Sequence, residues 1–137
     1  MTTRKVSAVI FAKDSRRVAA FYREVLGACS ESSDPGHEVL DCLGFHLVVH
    51  QIPDDLAQSI LITTPPERRE RTAVRLNFPI QDVEKARRRA RELGGQIDEL
   101  APPWAADSQG FYLGFDPEGN VVGVVRANNM IERTHEE

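Results

Sequence analysis

Two histidines, His46 and His50, lie four residues apart in an apolar run that predicts a β-strand over residues 45–51. Side chains alternate along a strand, so both imidazoles would point to one face. Imidazole binds divalent metals and serves as a general base when its pKa is near neutrality. The strand rise puts the two rings about 13 Å apart, too far for both to reach one ion without a bulge. We expect each histidine to line a pocket or form hydrogen bonds rather than to chelate as a pair.

The second group with chemical potential is aromatic. Trp104, the only tryptophan, lies in a proline-rich loop over residues 101–105, shortly before Tyr112. An indole on a loop beside a site could cover a planar ligand, and a phenol could donate a hydrogen bond to it. Equally, Trp104 could plug the open end of a sheet or form a dimer contact. The sequence leaves both interpretations open.

Composition excludes several classes of protein. The chain has 137 residues, 41% of them hydrophobic, and a formal net charge of −4, which predicts one globular domain that does not bind nucleic acid. Cys29 and Cys42 fit no metal or redox spacing and are expected to be reduced thiols. The apolar run near the N-terminus is too short for a signal peptide or a membrane span. We therefore expect a cytoplasmic protein without a membrane partner.

The elements that must position these residues occur twice. Asp14 and Asp82 each follow a strand-like run and open a helix, and each helix is predicted to close thirteen residues later, at Gly27 and Gly95. A second matched pair consists of Asp-x-x-Gly turns, which are residues 41–44 and 116–119. The two half-chains therefore repeat one unit.

Hydrophobic periodicity gives the predicted elements of each half. Module 1, about residues 5–52, has strands over 6–12, 28–32, 38–43 and 45–51 and a helix capped by Asp14 or Ser15. The first strand is rich in β-branched residues and is expected to be buried on both faces. Module 2, about 73–127, has strands over 74–80, 96–100, 111–115 and 121–125 and a helix over 82–93. The connector, 53–72, is expected to be mostly loop with a strand or short helix near 60–62, and its arginines to be solvated.

The order and spacing of these motifs resemble the vicinal oxygen chelate superfamily, which groups glyoxalase I, bleomycin-resistance proteins and extradiol dioxygenases. The segments that carry the resemblance are Phe11-Ala12-Lys13-Asp14, Phe21-Tyr22-Arg23-Glu24-Val25-Leu26-Gly27 and Phe115-Asp116-Pro117-Glu118-Gly119-Asn120. The resemblance implies an α+β fold in which two β-α-β-β-β modules form a curved mixed-sheet cup within one domain, 1–137. It also implies a small molecule or a divalent metal in the cup, and a homodimer.

The resemblance further implies where a metal would bind. In that family the ligands lie seven residues before each helix-opening Asp and seven after each turn Asp, which gives Ser7, Arg75, Val48 and Gly123. None of the four is a usual metal ligand, and Arg75 brings a permanent positive charge. We therefore predict no metal at these positions and no cofactor, a divalent metal at another place being possible but disfavoured.

Strand alternation extends the expected lining of the cup. Positions two residues away add Val9, His46, His50 and Asn77, which gives an apolar pocket with a few polar groups. Arg75 is its most informative member, because a guanidinium in a partly dry cup needs a partner. That partner is a protein carboxylate such as Asp41 or a connector glutamate, water at the rim, or an anionic ligand.

Three functions follow from these expectations. The first is a binder of a small polar or anionic molecule, similar to bleomycin-resistance proteins. The second is a lyase or oxygenase of the glyoxalase or dioxygenase kind, with unorthodox ligands such as His46 or His50 or with metal-free acid-base chemistry. The third is a protein whose cup is filled by side chains and which acts through a dimer surface.

Overall fold

The computed structural model describes residues 5–42, 44–105 and 110–127. The chain divides into two compact units, residues 1–63 and 64–137, and each unit holds one four-stranded mixed sheet and one ten-residue helix. The element order is β-α-β-β-β in both units, so the predicted α+β architecture is confirmed. No helix in the part of the chain that the structure describes is long and apolar enough to cross a membrane.

The first unit has the strand order β1-β4-β3-β2, with β1 parallel to β4 and the other neighbours antiparallel. Its elements are β1 Ser7–Ala12, α1 Ser15–Glu24, β2 Cys29–Asp34, β3 His37–Cys42, β4 Phe45–Gln51 and the short α2 Asp54–Ala57. Neither the strand nor the short helix considered for 60–62 forms there, and the short helix α2 lies earlier in the connector. Pro53 precedes it with a fixed φ and two aspartates follow in its first turn, both of which favour a helix start.

Helix α1 covers one face of this sheet. Asp14 is its N-cap and accepts a hydrogen bond from the Arg17 backbone N–H at 3.2 Å. Val18 and Phe21 are fully buried, and Gly27 ends the helix with φ +77°. The core between helix and sheet is completed by buried residues of the strands, which include Leu40, Leu47 and Val49.

Strand β1 is not buried on both faces, and this prediction is wrong. Ser7, Val9 and Phe11 are exposed, with Phe11 at 64%, whereas Ala12 is buried. The β-branched composition of a strand shows that it lies in a sheet but not how many layers cover it. We call the face without a helix, which carries Ser7, Val9, His46, Val48 and His50, the outer face of the first sheet.

The second unit has the strand order β5-β8-β7-β6, with β5 parallel to β8. Its elements are β5 Leu76–Ile80, α3 Val83–Glu92, β6 Gln96–Ile97, a short 3₁₀ helix Pro103–Ala105, β7 Phe111–Phe115 and β8 Val121–Arg126. Asp82 caps α3, and the buried residues of this helix are Val83, Ala86 and Ala90. These side chains and the sheet residues Phe78, Val122 and Val124 form the second core.

Four predicted boundaries in the chain are corrected. The residue with a left-handed backbone after α3 is Gly94, with φ +92°, rather than Gly95. The helix ends at Glu92, one residue before its predicted end. Strand β6 has two residues rather than five. The Asp98 N–H still donates to the Leu113 carbonyl at 2.8 Å, after which the chain leaves the sheet toward its two prolines.

Strand β2 runs over 29–34 rather than 28–32, and β5 begins at Leu76 rather than at 74. Leu43, the predicted end of the third strand, lies outside the described residues.

Candidate functional site

The second unit contains an open cavity of about 860 Å³. Its wall is formed by the connector, the face of the sheet that α3 does not cover, and the loop that carries Trp104. Apolar lining comes from Leu100, Trp104, Leu113 and Val121, and ionisable lining from Arg68, Glu70, Arg75, Asp98 and Glu99. A concave surface on which apolar side chains alternate with charged and polar groups can hold a small molecule. We call this feature the Arg75 cavity.

Arg75 is held by three neighbours. Its Nε donates to Asn77 Oδ1 at 3.0 Å, and its Cζ lies 5.5 Å from the Trp104 ring centre and 5.2 Å from that of Phe111. The two rings contact each other at 5.5 Å between centroids. An aromatic face attracts a guanidinium within about 6 Å, and the amide oxygen fixes the direction of its Nε edge. The guanidinium is thus oriented by a side chain that carries no charge.

Among the residues that the structure describes, no carboxylate pairs with Arg75. Asp41, the protein carboxylate considered from the sequence, accepts a hydrogen bond from Lys5 Nζ at 2.5 Å. Of the connector glutamates, Glu70 lines the same cavity without an ion pair to Arg75. Arg75 is exposed rather than held in a dry cup, so its two terminal nitrogens keep donors for water or for a ligand.

Asn77 depends in turn on Gly123. The two residues are direct partners in the parallel pair of β5 and β8, and the Asn77 amide lies where a Cβ of residue 123 would be. Phe111 Cε1 would be 3.1 Å from that Cβ. A glycine on β8 is thus what lets the amide of Asn77 turn toward Arg75. Gly123 acts by its lack of a side chain, which alternation alone does not reveal.

A second guanidinium, that of Arg68, closes one wall of the cavity. It forms two hydrogen bonds with the Asp98 carboxylate, at 2.8 and 2.5 Å, and lies 5.1 Å from the Phe115 ring centre. The hydrogen bond to Asp98 raises the pKa of Arg68, so its guanidinium stays charged. The charge pattern predicts that the connector's arginine side chains are solvated, and for Arg68 that prediction is wrong. The pair joins residues thirty positions apart, so no local pattern announces it.

The connector is positioned by the turn after β7. The Arg69 N–H donates to the Gly119 carbonyl at 2.9 Å, and Arg69 and Asn120 form an isolated parallel bridge. A Cβ on Gly119 would collide with the Glu67 carbonyl oxygen, and its φ of +87° also favours glycine. This close approach of two backbones is what carries Arg68 to the cavity.

Tyr112 lies on the other side of the second sheet. Its strand partner is the fully buried Val124, and the Arg87 guanidinium of α3 lies 5.0 Å from its ring centre. A hydrogen bond with Tyr112 raises the pKa of Arg126. The phenol is therefore part of the helix-facing layer and does not line the Arg75 cavity.

The predicted residues of the first unit lie on its outer face in two groups. His50 belongs to an aromatic group, with ring centres 5.8 Å from Phe11 and 5.7 Å from His37, and its Nδ1 is 3.0 Å from the Gln51 carbonyl oxygen. His46 contacts the carboxylate of Glu31 instead. Ser7 pairs in register with His46 and Val9 with Val48, so the face is continuous across β1 and β4.

His46 belongs to a cluster that could hold a metal ion. One donor atom each from Glu31, Asp41 and His46 lies within 4.8 Å of the other two. Both carboxylates come from strands of the sheet that holds His46. Lys5 lies beside them, and its hydrogen bond to Asp41 raises the pKa of the ammonium group.

Comparison with known proteins gives the class. A family model described as a glyoxalase-like domain matches residues 7–125. The chain belongs to this family, within the glyoxalase/bleomycin resistance/dioxygenase or vicinal oxygen chelate superfamily. No curated protein shows significant sequence similarity to it.

Solved structures share the fold at low identity. A glyoxalase/bleomycin resistance protein/dioxygenase family enzyme from Burkholderia phytofirmans PsJN is 19% identical, with a TM-score of 0.61, and the match covers 91% of this chain and 99% of that one. A mutant of the fosfomycin resistance protein FosX of Listeria monocytogenes, complexed with Mn(II) and 1S,2S-dihydroxypropylphosphonic acid, is 16% identical, with a TM-score of 0.61 and coverage of 98% and 99%. Glyoxalase I of Leishmania major is 15% identical, with a TM-score of 0.58 and coverage of 98% and 94%. These matches confirm the predicted βαβββ fold.

Proposed function

We propose that this glyoxalase-like protein binds a small anionic molecule in the Arg75 cavity. The observation that carries the proposal is the set of contacts around Arg75. Its guanidinium is aligned by Asn77 and stacked on Trp104, and it has no carboxylate partner among the described residues. A guanidinium presented in this way offers parallel N–H donors that match a carboxylate or a phosphonate. Leu113 and Val121 supply apolar surface for the body of the ligand.

The proposal includes the loss of the family's customary metal site. Val48 and Gly123 have no side-chain donor atom, and the positive charge of Arg75 opposes a cation. Ser7 alone could contribute only a weak neutral oxygen. Arg75 stands at one of the four positions where the family's metal ligands are expected. Its permanent positive charge takes the place of the charge that a metal ion would supply there. FosX from Listeria was solved with a phosphonic acid, which makes phosphonates a reasonable first class of probe.

The experiment is a calorimetric titration of the full chain with phenylphosphonate, benzoate and the neutral analogue benzyl alcohol. Both anions should bind more tightly than the alcohol, and Arg75→Gln should weaken them by at least about tenfold, since a hydrogen-bonded charge pair contributes about 1.5–3 kcal/mol. Arg88→Gln removes an equal charge from the exposed face of α3 and should change little. Equal affinity of the wild type and Arg75→Gln for every anion would refute the proposal.

An enzymatic function is the second candidate. His46 in contact with Glu31 is the observation that favours it, because a carboxylate beside an imidazole orients the ring for acid-base chemistry. A lyase or oxygenase of this superfamily would return a changed ligand, whereas a binding protein releases it intact, so product analysis after incubation distinguishes the two. A cytoplasmic location remains a prediction from the sequence, and a homodimer remains an implication of the family resemblance.

A further inference from the structure

We infer that Glu31, Asp41 and His46 form a binding site for a divalent transition-metal ion of the zinc type on the outer face of the first sheet. The three donor atoms lie within 4.8 Å of one another. None of the three residues stands at the four positions where the family's metal ligands are expected. None lines the Arg75 cavity either, so this site is independent of the proposed anion site.

Strand register brings the donors together. Asp41 on β3 is the direct partner of His46 on β4, which places their side chains next to each other on one face. On β2, Ser30 pairs with Leu40 of β3, and Ser32 pairs with Val39. Glu31 between them has no partner and is the extra residue of a β-bulge. A bulge redirects a side chain that regular alternation would place elsewhere, and here it brings the Glu31 carboxylate to the imidazole. Three adjacent strands thus contribute one ligand each.

The contact between Glu31 and His46 places two metal-ligand atoms side by side. His46 Nε2 is inaccessible to solvent and contacts the Glu31 carboxylate. An imidazole N–H donates to such a carboxylate when no metal is bound, and a metal ion takes the place of that proton. Zinc ligands lie at about 2.0–2.2 Å from the ion, so the two groups must move apart to admit one between them. One imidazole with two carboxylates suits zinc or manganese better than magnesium or calcium, which prefer oxygen alone.

Lys5 acts as a competing cation in this arrangement. Its Nζ donates to Asp41 Oδ1 at 2.5 Å, and the side chains of both residues are about 30% exposed. A metal that binds Asp41 through this oxygen must displace the ammonium group into solvent. Removing Lys5 is therefore expected to strengthen metal binding, whereas removing a ligand weakens it. A surface cluster that only forms ion pairs would show the opposite or no effect of Lys5.

The test is a zinc titration of the full chain by calorimetry, repeated with magnesium. The wild type should bind one zinc ion per chain and release protons as it does so, and magnesium should not bind. Glu31→Gln and His46→Ala should each weaken zinc binding by at least about tenfold, since loss of even an outer-shell partner of a metal costs that much. Lys5→Met should bind zinc more tightly than the wild type. His37→Ala, which removes an imidazole from the same sheet outside the cluster, should bind as the wild type does.

Folding of each variant is checked by its thermal unfolding in the presence of a chelator. Glu31 is exposed on the bulge, so Glu31→Gln should unfold at the wild-type temperature and isolates the loss of a ligand. The inference is overturned if Glu31→Gln and His46→Ala bind zinc as tightly as the wild type. It is also overturned if the wild type binds no more zinc than the double variant Glu31→Gln/His46→Ala.

Discussion

The amide of Asn77 occupies the space that a side chain on Gly123 would need. The two residues face each other across β5 and β8, and the same amide accepts the hydrogen bond from Arg75 Nε at 3.0 Å. The missing side chain of Gly123 thus leaves the space in which Asn77 orients Arg75.

Gly123→Ala is predicted to weaken anion binding by about tenfold, equivalent to one hydrogen bond to a charged group. The added methyl group would push the Asn77 amide away from Arg75 and free the guanidinium to turn. Calorimetry with phenylphosphonate measures the change. In an Asn77→Ala background the same substitution should have a much smaller effect on affinity, because the clash with the amide is gone and only the contact with Phe111 Cε1 remains. An equal loss in both backgrounds would show that Gly123 acts by another route.

Asp116 is predicted to stabilise the second unit. It is fully buried, its Oδ1 accepts from the backbone N–H groups of Glu118 and Asn120, and its Oδ2 accepts from the Asn120 amide. Asp116→Ala leaves these donors without an acceptor, so we expect the free energy of unfolding to fall by about 2–4 kcal/mol. Urea denaturation measures the loss. Asp34→Ala, at an exposed strand end, should change stability by less than about 0.5 kcal/mol. Similar losses for the two variants would contradict this role.

The pH dependence of stability should report on Cys42. Burial, with smaller contributions from Asp41 and Cys29, raises the pKa of the Cys42 thiol from 9.0 to about 11. Between these values the unfolded chain has lost the thiol proton and the folded chain still holds it, so stability falls as pH rises from about 9 toward 11. Urea denaturation at several pH values should show a steeper fall for the wild type than for Cys42→Ala. Parallel curves would mean that the thiol titrates alike in both states.

Much of the fold can be predicted because local signals delimit the elements. Strand β4 has its predicted ends, 45–51, since Gly44 precedes it and Pro53 follows closely. Asp14 and Asp82 mark helix starts by their capping chemistry. Two consecutive glycines after α3 give no such guidance, and the sequence alone does not show that Gly94 takes the left-handed conformation.

The sites are harder to predict because they depend on contacts that are distant in sequence. Counting from Asp82 singles out Arg75, which does line a cavity together with Trp104. The ion pair of Arg68 with Asp98 depends on the course of the connector, and no periodicity encodes it. The bulge at Glu31 shifts register within β2, so alternation cannot place that carboxylate beside His46.

The most direct test of the central claim, that Arg75 anchors an anion, uses the fluorescence of Trp104. It is the only tryptophan, and its ring centre lies 5.5 Å from Arg75 Cζ, so a ligand on the guanidinium should change its emission. Titration with phenylphosphonate should give a saturable change in the wild type and the same dissociation constant in Tyr112→Phe, whose phenol faces the helix. Arg75→Gln should need at least about tenfold more ligand for half-saturation. An unchanged dissociation constant in Arg75→Gln, or no saturable response in the wild type, would contradict the account.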